Sequence, residues 1–205
     1  MVGSGWRRGE RGLSTWAVLG GGVAAIAFGG AAISLVREQL HISCEVGQPG
    51  TEGYGTWMCA DGIGYLWVAA ALGAALFFAV LAGSLTAALV RPRRLACTIL
   101  VALAAIATAW ILGWTWYGSS ELVWSVPRGT LSIDYWHAAV LPASIASAAG
   151  FLLALLGLLA GGTPARLLFV GATAGLVVAT ILQPGLAINT LPAAGLLAAA
   201  AVRAP

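Results

Sequence analysis

Long apolar runs fill most of this chain, and nearly every charged residue sits in the short gaps between them. Runs of this length can satisfy their backbone N–H and C=O groups in lipid only as helices. The pattern therefore predicts an all-α integral membrane protein, a polytopic bundle of five to six transmembrane helices. The spans read at about residues 16–36, 63–90, 95–117, 136–160 and 165–182. A sixth, at about 184–202, is the weakest, being mostly Ala and Gly with Pro184 and Pro192, and it reads as kinked or shortened at Pro192. It is taken as crossing because Arg203 then falls on the same side as most of the other arginines. Residues 1–15 read as a cytoplasmic N-terminal segment, and 16–205 as a single transmembrane helical domain with external loops at 37–62 and 118–135.

The gaps set the orientation. Arg7, Arg8, Arg11, Arg91, Arg93, Arg94, Arg166 and Arg203 fall on one side, and only Arg37 and Arg128 on the other. Arginine-rich loops stay in the cytoplasm, so Arg91, Arg93, Arg94 and Arg166 act as topology determinants and the N-terminus is internal. Trp57, Tyr65, Trp67, Trp114, Trp116, Tyr117, Trp124, Tyr135 and Trp136 gather near the outer ends of the spans. That depth suits a ring that is apolar but carries one polar group. The first span lacks a small-x-small cleavage site and is read as an uncleaved helix rather than a signal peptide.

Composition agrees. Hydrophobic residues make up 60% of the chain and charged residues 8%, against roughly 25% charged in soluble domains. The formal net charge of +3 comes with no basic run, so nucleic acid is not an expected partner. Arginine without any lysine, amid abundant Ala and Gly, matches GC-rich codon usage. It suggests a bacterial inner or plasma membrane.

Cys44 and Cys59 share the first external loop, in an oxidising compartment. The expectation is a disulfide worth about 3 kcal/mol by loop closure. Ile42, Cys44 and Val46 alternate with polar residues, as do Trp57 and Cys59, so a stapled β-hairpin is predicted as a small extracytoplasmic cap. Leu131, Ile133 and Tyr135 alternate as well and suggest another strand. Leu122–Pro127 suggest a short interfacial segment.

Candidate chemistry is sparse. His41 and His137 both lie near the outer face, and with Glu45, Asp61 and Asp134 they could hold a cation or haem, but no ligand spacing supports this. No cofactor and no metal are expected. No span carries a central ionisable residue, the usual mark of proton or ion pathways, and nucleophile-elbow, H-E-x-x-H and P-loop patterns are absent. Small residues stand out instead: Gly22 and Gly29 in the first span, and Gly171 and Gly175 in the fifth. Their spacing lets helix backbones approach closely, either within the bundle or against a partner.

These features favour a non-enzymatic accessory or scaffold subunit of a membrane complex, in contact with the lipid bilayer and with a partner membrane protein or a second copy. A small solute or ion transporter or channel is the alternative. A membrane oxidoreductase using the external Cys or His residues is the third reading.

Overall fold

A computed structural model describes residues 3–47, 49–50, 53–120 and 131–204. Among the described residues, five helical segments are long and apolar enough to cross a membrane, or six if a bent pair at the start counts as one span. The expected interfacial segment Leu122–Pro127, with Glu52, Glu121 and Arg128, lies outside the described residues.

Helix α1 (Gly3–Ala27) starts well before the apolar run, because a helix need not stop where its hydrophobicity does. At Phe28 the amide is shared between Ala24 and Ala25 carbonyls and the axis turns by 54° into α2 (Gly29–Ser34). A π-turn, Leu35–Gln39, follows. Next comes a hairpin of β1 (Cys44–Val46) and β2 (Trp57–Cys59), antiparallel, with Cys44 directly opposite Cys59. The two are joined by a disulfide, as the sequence predicted.

A short 3₁₀ turn (Gly62–Tyr65), capped by the Asp61 carboxylate on the Gly64 amide, leads into α3 (Leu66–Leu89). Helices α4 (Arg93–Gly118), α5 (Ser132–Leu159) and α6 (Gly162–Leu182) follow. A second 3₁₀ turn, Pro184–Leu186, opens α7 (Ala187–Arg203). The long helices α1, α3, α4, α5, α6 and α7 alternate in direction. The start of α1, the α3–α4 turn, the α5–α6 turn and the end of α7 therefore share one end, which holds Arg91, Arg93, Arg94, Arg166 and Arg203. The hairpin and most of the described Trp and Tyr residues occupy the other.

One expectation needs correction. Ile133 and Tyr135 belong to α5, not to a strand. Two-residue alternation over so short a stretch also fits a helix, and continuity with the apolar run behind it decides. Helix α7 runs through Pro192 to Arg203, so of the two forms expected for the sixth span, kinked or shortened, the shortened one does not occur.

The core is organised around α7, of which 78% is buried, against 22% for α3. It packs on α1, α4, α6 and α3. A helix enclosed on all sides must be thin, which explains its Ala and Gly content. At Gly195 an added Cβ would sit 2.7 Å from the Ala17 carbonyl oxygen, and at Gly21 one would sit 2.6 Å from that of Leu191. Backbone touches backbone there, so dispersion contacts and Cα–H···O contacts replace side-chain interdigitation. The α5–α6 pair repeats the device: an added Cβ at Gly175 would lie 3.0 Å from the Gly150 Cα.

Candidate functional site

The cap is seated by polar and apolar contacts together. His41 and Ser43 adopt positive φ angles of 51° and 65°, conformations that cost a non-glycine residue free energy and persist only where surroundings hold them. Between them Ile42 turns inward. Its amide donates to the Val36 carbonyl, its carbonyl accepts from Tyr65 Oη at 3.0 Å, and its side chain covers Gly118. The His41 ring stacks on Trp57, centroids 4.4 Å apart, and meets Tyr135 edge-on at 5.1 Å. Burial pushes the His41 imidazole below its ordinary value, opposed by a hydrogen bond with the Gln39 backbone.

His137 packs beside Trp136 and does not join His41. Among the described residues no three His, Cys, Asp or Glu side chains cluster as metal ligands would. Cys97 is buried near the arginine end, where its Sγ approaches the Ala200 carbonyl, so it is remote from the disulfide.

Beneath the cap lie several polar contacts between elements. Gln183 donates from Nε2 to Gln39 Oε1 (2.8 Å) and to the Ala139 carbonyl (2.9 Å), and its Oε1 accepts from the Gly185 amide. Three separate parts of the chain are thereby tied at one point. Trp136 Nε1 donates to Thr115 Oγ1. The Thr180 and Thr190 hydroxyls lie 2.7 Å apart, each also facing its own i−4 carbonyl.

Asn189 is fully buried, with neither amide atom hydrogen-bonded, and Thr108 is buried with its hydroxyl unpaired. Cys97 and Ala200 meet across α4 and α7, and about three turns nearer the cap Thr108 and Asn189 come level. Such groups normally find partners.

The glycines divide. Gly22 packs on Val80, and Gly171 meets Leu153. Gly175 touches Gly150, whereas Gly29 faces open space just beyond the Phe28 bend.

Helix α3 is flanked by two apolar grooves. One, of about 500 Å³, lies against α4, floored by Ala71, Ala75 and Ala79 and walled by Phe78 and Trp110. The other, of about 390 Å³, lies against α1, with Gly22 and Gly73 in its lining. Sequence reasoning overlooked the first. The i, i+4, i+8 alanines were visible, yet in so alanine-rich a chain they carried little signal.

No protein-family model, curated protein or solved structure matches this chain.

Proposed function

We propose that the protein is a multi-pass membrane subunit without catalytic activity of its own, inserted with its N-terminus in the cytoplasm and the disulfide cap outside. In this reading it holds a transmembrane helix of a partner membrane protein. The observation that carries it is the alanine-floored groove between α3 and α4. Its floor lets an incoming backbone approach closely, and helices in lipid associate through such packing. From Ala71 to Leu85 it follows α3 for about 21 Å, most of the hydrocarbon core.

Mild extraction followed by mass spectrometry tests this reading. A stoichiometric partner lost on Ala75→Phe, which fills the groove, supports it. Recovery of the protein alone, or a partner indifferent to Ala71→Phe and Ala75→Phe, refutes it. A second copy of the chain as the lost partner would make the protein a homo-oligomer instead.

A second reading, a small solute or ion carrier, draws on the orphaned Asn189. It predicts liposome flux that Asn189→Leu abolishes. The central position of α7, filling the axis where a conduit would run, favours the subunit reading.

A further inference from the structure

At the arginine end, a cavity of about 450 Å³ lies between the start of α1, the α3–α4 turn and the end of α7. Its walls are Glu10, Arg11, Arg91, Arg93 and Arg203, so four guanidiniums face one carboxylate. That carboxylate is already engaged: Glu10 Oε2 accepts from Arg93 Nη2 at 2.6 Å, the one ion pair among the described residues. Arg203 is 2% exposed and is directed at the α3 terminus, donating to the carbonyls of Ala87 and Val90. Arg11 and Arg91 face the same space with no acidic partner among the described residues.

Packing alone does not account for gathering like charges around an open volume. Each guanidinium raises the cost of the next, and Arg203 is held too firmly to swing away. The adjoining first turn of α4 has no side-chain cap and adds the positive end of a helix dipole to the same region. Guanidiniums arranged around a concavity suit the planar, multi-oxygen acceptor geometry of a phosphate group.

We propose that this cavity binds a phosphate ester, taken either from an anionic phospholipid headgroup or from a small soluble phosphate. The two sources share the chemistry and differ in whether an acyl anchor contributes. Binding holds the α3–α4 turn against the ends of α1 and α7.

The test uses the full chain in nonionic detergent, with native mass spectrometry to count retained lipid and thermal unfolding to register inorganic phosphate. Phosphatidylglycerol should be retained in preference to phosphatidylcholine. Arg11→Gln and Arg91→Gln should each weaken retention roughly fivefold. Glu10→Gln, which removes the competing carboxylate, should tighten it. Arg166→Gln, at the same end but outside the cavity, should leave it unchanged. Stabilisation by inorganic phosphate that the same variants diminish, without preference between the lipids, assigns the site to a soluble phosphate. Indifference to both probes overturns the proposal. So does an Arg166→Gln variant that loses as much as Arg11→Gln, because the charge of that surface would then suffice.

Discussion

Replacing Gly195 by alanine tests whether α7 is held by backbone contact. The new Cβ would lie 2.7 Å from the Ala17 carbonyl oxygen, about 0.7 Å inside the 3.4 Å at which ordinary contact begins. It would also sit 3.2 Å from the Gly21 Cα. Both obstacles are backbone on α1, so no side chain can rotate aside and one helix must back away. Overpacking of this kind costs about 1–3 kcal/mol. Alanine recovers about 1 kcal/mol of helix propensity over glycine, which leaves an expected net loss of up to about 2 kcal/mol.

Gly20→Ala is the matched control. Nothing lies within 4 Å of its added Cβ, so only the propensity gain remains. Unfolding in mixed micelles, followed by tryptophan fluorescence, should separate the two variants by the overpacking cost, about 1–3 kcal/mol. Equal stability would mean that α1 and α7 do not touch through Gly21 and Gly195, and the account of the core would fail.

Three further outcomes are expected. Arg203→Met, which leaves the terminal carbonyls of α3 without their donor, should cost about 2–3 kcal/mol in the same unfolding assay. A Cys44→Ser, Cys59→Ser double variant should lose about 3 kcal/mol of cap stability, seen as early proteolysis of the hairpin while the helical signal persists. For His41 the lowered pKa means that the folded state takes up a proton less readily than the unfolded one. Its contribution is therefore complete above the ordinary value of about 6.5 and declines as pH falls through the lowered folded value. Melting followed from about pH 7.5 to about pH 5 should drop further in the native protein than in His41→Asn, which tolerates the left-handed backbone but does not titrate. Equal slopes would remove His41 from the cap's energetics.

Legibility in the sequence followed the physics each signal reports. Hydropathy measures transfer into lipid, so it placed α3, α4, α5 and α6 to within a few residues. The Cys44–Cys59 hairpin was readable because alternation and a plausible loop closure agreed. Helix α7 was read as the weakest span for a reason that turns out to be informative. A segment surrounded by protein is selected for thinness, and Ala193, Gly195 and Ala199 score poorly on a scale built for lipid contact. The pairing of Thr180 with Thr190, and the Gln183 junction with Gln39 and Ala139, depend on three-dimensional register that no local pattern encodes. The strand expected at Leu131–Tyr135 failed because so short an alternation does not distinguish the two periodicities.

The most enclosed helix is also the last of the seven α-helices among the described residues. While the chain is being made, α1 can form early, but the surface it needs at Gly21 does not exist until α7 follows, starting at Ala187, 166 residues later. Without it, the faces of α1, α3, α4 and α6 that pack on α7 would have no partner. The bundle should thus close only once α7 is in place. A chain interrupted before Ala187 would retain its apolar helices and its stapled hairpin, yet have no centre on which to close.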